Sequence, residues 1–140
     1  MNIRKLNYDD YSQYYSLIND FRKTKFTEQE FICTLKNIET NSEIWVIELN
    51  NELICTATII YETKFIFNIC KSAHIEDVCT KSLFRNKGVG KKLINFLIEH
   101  AKTQNCYKIN LVCNKDTSYF YKSCNFEERG VHMSYLLMTV

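Results

Sequence analysis

Lys81-Ser82-Leu83-Phe84-Arg85-Asn86-Lys87-Gly88-Val89-Gly90 is the glycine-rich stretch of this chain, and what flanks it decides the fold. Upstream, Ala73 to Thr80 reads as a strand. Downstream, Leu93, Ile94, Leu97, Ile98 and Ala101 recur at helical spacing, so a long amphipathic helix starts at the glycines. Two of the chain's 3 glycines fall in this one strand-to-helix turn. Glycine lets backbone N–H groups come close to a ligand, and a helix N-terminus adds positive partial charge, so the turn is suited to a phosphate. Lys87, Lys91 and Lys92 reinforce that field. The alternative is a tight turn before a solvated, basic helix start. The spacing is neither G-x-G-x-x-G nor G-x-x-x-x-G-K-[ST], which speaks against dinucleotide and ATP-loop readings.

Working outward, Asn2 to Leu6 alternates weakly and predicts an opening strand. Asp9 or Asp10 then caps a helix carrying Tyr11, Tyr14, Tyr15, Ile18 and Phe21 at helical spacing. Thr27 with Glu30 forms a capping box for a second helix whose apolar face is Phe31, Leu35 and Ile38. From Glu43 the period changes. EIWVIEL, the turn Asn50-Asn51 and ELICTATIIYE predict a hairpin, and KFIFN extends that sheet or forms a connecting arm. Past the glycine turn and its helix come a buried strand from Tyr107 to Cys113, a short helix around Ser118 to Lys122, and a last strand from Val131 onward. The order β-α-α-β-β-β-α-β-α-β predicts an α/β chain with a mixed sheet covered by helices (α+β in its mixed strand directions).

The 140 residues contain no repeat or linker, and one domain over 1–140 is expected. Hydrophobic residues at 46% and charged residues at 24% describe a globular chain. A net charge of +2 with dispersed lysines does not mark a nucleic-acid binder. No apolar run reaches the roughly 18 residues of a membrane span, and MNIRKLNYDD lacks a signal-peptide core, so a cytoplasmic location and no membrane partner are expected. The 7 cysteines have no C-x-x-C pair, which argues against a disulfide framework and a metal site. Most lie in apolar runs and read as small buried hydrophobes.

Arg85-Asn86-Lys87-Gly88-Val89-Gly90 also matches the pattern R/Q-x-x-G-x-G/A, and with it the chain resembles the GNAT superfamily of N-acetyltransferases, in which this turn grips the pyrophosphate of acetyl-CoA. The element order derived from periodicity is the order of that fold. Within the superfamily, Lys64-Phe65-Ile66, His74-Ile75-Glu76-Asp77, Cys106-Tyr107-Lys108-Ile109 and Phe120-Tyr121-Lys122-Ser123-Cys124-Asn125-Phe126 resemble the glucosamine-6-phosphate N-acetyltransferases. The resemblance covers the C-terminal half to two thirds of the chain. It implies an acetyl-CoA-dependent N-acetyltransferase acting on glucosamine 6-phosphate, by direct attack of the amine within a ternary complex, and feeding amino-sugar nucleotide synthesis.

The resemblance also implies roles. Val78 and Cys79 on the strand and Arg85, Asn86, Lys87, Gly88, Val89, Gly90 and Lys91 in the turn contact the cofactor, joined by Thr117, Phe120, Tyr121 and Lys122. Tyr121 is the candidate general acid beside the sulfur, and the Val78 backbone N–H the candidate oxyanion donor. Glu76, Asp77, Lys108 and Val112 face the sugar, Val112 through its carbonyl. Strand alternation alone places Glu76 and Asp77 on opposite faces, so they are no acid/base couple. His74 shares the face of Glu76.

Several positions depart from the family pattern. Val112 stands where an acidic residue is usual, Thr117 where Asn is usual, and Asn125 where Gly is usual. The last strand has Ser134-Tyr135-Leu136-Leu137-Met138 where members carry a basic residue for the sugar phosphate. Arg22, Lys23, Lys25, Lys108 or Arg129 could substitute. That difference keeps open another small amine, such as a polyamine or other amino sugar, or a protein amino terminus; a non-catalytic acyl-CoA-binding module is the reading from a different class. The apolar stretch from Tyr135 to Met138 on a terminal strand points to a homodimer.

Overall fold

The alternating apolar residues of Ser42–Leu49 (β2) and Glu52–Lys64 (β3) pair antiparallel across Asn50 and Asn51, both left-handed, as a two-residue hairpin turn requires. This hairpin is the centre of the sheet in the computed structural model, which describes residues 1–140. β1 (Asn2–Lys5) pairs with β2. β4 (Cys70–Thr80) pairs antiparallel with β3, and β5 (Cys106–Leu111) pairs parallel with β4. The order is β1-β2-β3-β4-β5.

Helices cover both faces. α1 (Tyr11–Phe21) and α2 (Glu28–Ile38) bury Leu17, Phe31 and Leu35 against Val46 and Leu53. The capping box forms as the sequence indicates: the Glu30 N–H donates to Thr27 Oγ1 at 3.1 Å, and the Thr27 N–H donates to Glu30 Oε1 at 2.9 Å. On the other face α4 (Val89–Thr103) seats Leu93, Ile94 and Leu97, each fully buried, on Ile47, Ile59 and Ile75. A buried leucine of this kind contributes about 1.5–3 kcal/mol. The segment Ile66–Ile69 (α3), whose Phe67, Asn68 and Ile69 are left-handed and so form no regular α-helical turn, links β3 to β4, and α5 (Lys115–Ser123) follows β5. No helix is long and apolar enough to cross a membrane.

Four expectations change. First, Asp10 does not cap α1 through its side chain; it accepts from Arg4 Nη1 at 2.8 Å and from the Asn7 N–H at 2.9 Å. Asn7 caps a preceding 3-10 turn, Tyr8–Asp10, instead. Second, β5 is not a buried strand. It is the sheet's open edge, and Tyr107, Lys108 and Asn110 are exposed. Third, the strand from Val131 onward does not form. Gly130 is left-handed, and the following residues are exposed, Leu136 at 81% and Leu137 at 89%. The segment has the composition of a strand but no backbone partner within the chain, and an unpaired strand has no ladder bonds to hold it. Fourth, only Cys55, Cys79 and Cys124 are buried; Cys70 and Cys106 are half-buried, and Cys33 and Cys113 are exposed.

At the end of the sheet away from the glycine turn, Glu43 gathers donors from three elements and its own strand. Lys5 Nζ lies at 2.7 Å, the Tyr61 hydroxyl at 2.7 Å, His100 Nε2 at 2.8 Å and Trp45 Nε1 at 3.3 Å. Burial opposes the charge, yet the hydrogen bonds outweigh it and hold the carboxyl down at about 2, from an ordinary 4.5. A carboxylate with a depressed pKa stabilises the fold at neutral pH, and that contribution is lost as pH falls from about 4.5 towards about 2. Glu43→Gln is expected to lower stability by roughly 1–3 kcal/mol at pH 7 and to flatten the acid limb of the urea midpoint plotted against pH. An unchanged acid limb would contradict the assignment.

Candidate cofactor and acceptor site

β4 and β5 are paired only from Lys71 with Cys106 to Ile75 with Leu111. Beyond Ile75, β4 continues to Thr80 while β5 ends, so the backbone from Glu76 to Thr80 has no strand on that side. A wedge opens between the two strand ends, with α5 beyond it. The edge inside it carries unpaired peptide groups, which suit an extended ligand with amides of its own.

Inside the wedge β4 carries a bulge. Thr56 faces Cys79 and Thr58 faces Glu76, so Ala57 stands opposite both Asp77 and Val78. Asp77 takes φ 51 to make this possible. A bulge leaves its extra residue out of the ladder and re-aims the chain. The alternation breaks between Asp77 and Val78, which share the register position opposite Ala57, and not between Glu76, which pairs with Thr58, and Asp77; Glu76 and Asp77 are exposed, Val78 is half-buried and Cys79 is buried.

The turn follows. Asn86 at φ 59 and Gly88 at φ 79 are both left-handed, and Gly88 precedes the first residue of α4 without offering a side-chain cap. Amides at such a helix start are left to an outside acceptor. Gly90 is small for another reason. A Cβ there would lie 3.3 Å from both the Phe120 ring and Thr80 Oγ1, so α4, α5 and the end of β4 meet at this residue. Lys87 and Lys91 are exposed beside the turn. Arg85 is turned back: its Nε donates to the Thr80 carbonyl at 2.8 Å, and its Nη2 lies 3.4 Å from Asp20 Oδ2.

Tyr121 stands on α5, its ring edge-on to Phe120 at 4.9 Å and to Phe126 at 6.0 Å. Burial pushes its phenol up to about 12, helped by Cys113, Cys124, Cys55 and Glu76. It is therefore a protonated donor at any ordinary pH. Tyr121 lines a cavity of about 1540 Å³ along β5 and α5, together with His74, Glu76, Lys108, Val112 and Lys122. The structure thus brings Tyr121 and four of the expected acceptor-side or pocket residues to one space; the Arg85–Lys91 turn is not part of that lining. Two expected cofactor contacts have local partners. Thr117 Oγ1 donates to the Asn114 carbonyl at 3.1 Å, and Lys122 Nζ lies 3.4 Å from Glu128. Lys108 projects over the Tyr107 ring at 5.3 Å.

Sequence reasoning missed Tyr14 and Asp20, both on α1. Burial pushes the Tyr14 phenol well above its usual range, and the Asp77 carboxylate and Cys79 add to the shift, which places its hydroxyl near the bulge. Both residues are far from the motif in sequence. The one available sign was an acidic residue at the end of a helix, where the dipole disfavours it.

A family model described as the acetyltransferase (GNAT) family matches residues 4–126. Glucosamine 6-phosphate N-acetyltransferase of Arabidopsis thaliana is 33% identical over 139 residues, which cover 94% of this chain and 93% of that relative. Glucosamine 6-phosphate N-acetyltransferase 1 of Dictyostelium discoideum is 32% identical over 145 residues, covering 99% and 92%. The crystal structure of the Arabidopsis enzyme matches with a TM-score of 0.92 at 33% identity, covering 98% of each chain.

The two glycines of the turn are expected to fail differently on substitution. Gly88→Ala meets no atom within 4 Å but must hold φ +79, a strain of about 1–2 kcal/mol. Gly90→Ala crowds Phe120 and Thr80, so it is expected to lower the thermal midpoint and also to shift α5 and Tyr121. Unfolding curves together with tyrosine near-UV dichroism separate the two; an unchanged Tyr121 environment in Gly90→Ala would contradict the packing described.

Proposed function

This chain belongs to the GNAT acetyltransferase family, and we propose that it transfers an acetyl group from acetyl-CoA to the amine of glucosamine 6-phosphate. The observation that carries the cofactor side is the left-handed turn at Asn86 and Gly88 leading into the uncapped start of α4 beside the open edge of β4. Acetyl-CoA supplies the activated acetyl thioester. Its diphosphate fits the turn from Asn86 to Lys91, where main-chain amides and the exposed Lys87 and Lys91 offer positive charge. Its pantetheine amides fit the open edge at Val78 and Cys79. Phe120 and Tyr121 close the far side, and Thr117 and Lys122 would have to leave Asn114 and Glu128 to join them.

The chain's own groups then do three things. The Val78 N–H, on the open stretch of β4 beside the bulge, would aim its dipole at the thioester oxygen, where negative charge grows; such a donor contributes about 10²–10³ in rate. Tyr121, whose phenol burial pushes up to about 12, stays protonated and would donate a hydrogen bond to the departing thiolate, which takes up the proton shed by the amine nitrogen and leaves as free thiol. Placement of the two substrates supplies much of the remainder. A sugar amine titrates near neutrality, so no strong base is needed, and the Val112 carbonyl suffices to orient it. Glu76 and Asp77 face the sugar hydroxyls, and Lys108 is the available cation for the phosphate.

A homodimer completes this reading. The segment after Gly130 is apolar and exposed, β5 is an open edge, and the arm of β3 and β4 holds out Phe65, 91% exposed, with the Phe67 ring tilted against Tyr107 at 5.0 Å. These three surfaces lie in a setting where a second copy can supply the missing strand. Leu136 favours one second reading: with no cation there, an amine lacking phosphate is the rival acceptor.

Thiol release measured over a panel of amines tests the acceptor. Glucosamine 6-phosphate is expected to give the highest kcat/KM, and preference for glucosamine or a polyamine would favour the rival. Tyr121→Phe is expected to lower kcat by about 10²-fold or more with CoA affinity nearly unchanged; undiminished turnover removes Tyr121 from the mechanism. Truncation after Gly130 is expected to convert a sedimenting dimer to a monomer. A monomeric 1–140 chain would overturn the dimer.

A further inference from the structure

We propose that Asp20 is a positioning residue for the cofactor turn, coupling α1 to the segment from Ser82 to Arg85; the proposal rests on acetyl-CoA binding at that turn. Asp20 lies in the last turn of α1, which contains no basic residue. The negative end of the helix dipole repels a carboxylate there. What offsets this comes from another part of the chain. Asp20 Oδ2 accepts from the Ser82 N–H at 2.8 Å and lies 3.4 Å from Arg85 Nη2, and the same nitrogen reaches the Asp20 carbonyl at 3.5 Å.

Each end of these contacts does work in the turn. Ser82 opens the 3-10 turn Ser82–Phe84, and the preceding Lys81 provides no side-chain cap. Asp20 is therefore the acceptor for the first amide of that turn, supplied from a separate helix. Arg85, held by Asp20 on one side and by the Thr80 carbonyl on the other, closes the path from the end of β4 to the glycines. Buried Cys79, whose Sγ donates to the Leu17 carbonyl at 3.5 Å, pins the same stretch of β4 to α1. The guanidinium is spent on shaping the turn, so Arg85 acts on the diphosphate through the backbone it positions.

The contact also joins the two substrate sites. Tyr14, whose hydroxyl approaches the Asp77 bulge, lies on the same helix as Asp20, roughly 9 Å away along the axis. One rigid helix thus touches the acceptor side at one turn and the cofactor side at another. Loss of Asp20 releases the turn without touching Tyr121 or the wedge.

The test is a set of four proteins: the parent, Asp20→Asn, Arg85→Gln and the double variant. CoA affinity is read by calorimetry, KM for acetyl-CoA and kcat by thiol release, and the thermal midpoint as a folding control. Asp20→Asn is expected to raise KM and the CoA dissociation constant about tenfold with kcat within twofold, since a charge-assisted contact is lost. Asp20→Glu, which keeps the charge, is expected to stay within about threefold of the parent. In the double variant the loss is expected to match the larger single loss, because both changes break one unit. Losses that multiply would make Arg85 an independent phosphate ligand and overturn the proposal, as would unchanged CoA affinity in Asp20→Asn. If Asp20→Asn folds poorly, Arg85→Gln alone and Asp20→Glu still decide: equal losses in both, with no effect of charge, overturn it. A parent that binds no CoA overturns the cofactor reading itself, a result distinct from a parent that binds and an Asp20→Asn that binds equally.

Discussion

β4 and β5 run together only as far as Ile75 and Leu111, and the parting of their ends is the constraint on which the rest of the molecule depends. A parallel pair that stayed closed would satisfy every backbone group and leave no room for a ligand. Parted, it leaves peptide groups of Glu76 to Thr80 facing a wedge, with a bulge at Asp77 and Val78 on its floor and Tyr121 across from it. Val78, Glu76 and Tyr121 lie about this opening because the sheet parts there. None of the three depends on a strongly activated side chain.

Two cores keep the wedge from collapsing. α1 and α2 pack one face around Leu17, Phe31 and Leu35, and α4 packs the other through Leu93, Ile94 and Leu97. The glycine turn is suspended between them. Gly90 allows α4, α5 and Thr80 to meet at van der Waals distance, and the ties from Asp20 fix the opposite flank of the turn to α1. The turn is thus tied on both flanks, whereas β5 is an open edge of the sheet.

Much of this is legible in the sequence. The 3.6-residue period after Gly90, the capping box at Thr27 and Glu30, and the hairpin at Asn50 and Asn51 are local signals, and each forms as read. Tyr121 was legible through its motif and not through its chemistry, since a tyrosine in an apolar run is ordinarily core. The Asp77 bulge is not legible, because a left-handed aspartate inside a strand has no local signature; it shows only in the register against Thr56 and Thr58 of the neighbouring strand. Asp20 and Arg85 are 65 residues apart, beyond any spacing rule. The stretch from Val131 has strand composition, yet a strand needs a partner, and alternation cannot say which chain provides it.

The most direct measurement of the central claim is a map of backbone amide shifts in 15N-labelled protein as CoA is added. Saturable perturbations centred on Asn86 to Lys91 and on Val78 and Cys79, with dephosphorylated pantetheine moving only the latter pair, are the expected result. Perturbations that leave the Asn86 to Lys91 amides unmoved at saturating CoA would contradict the account.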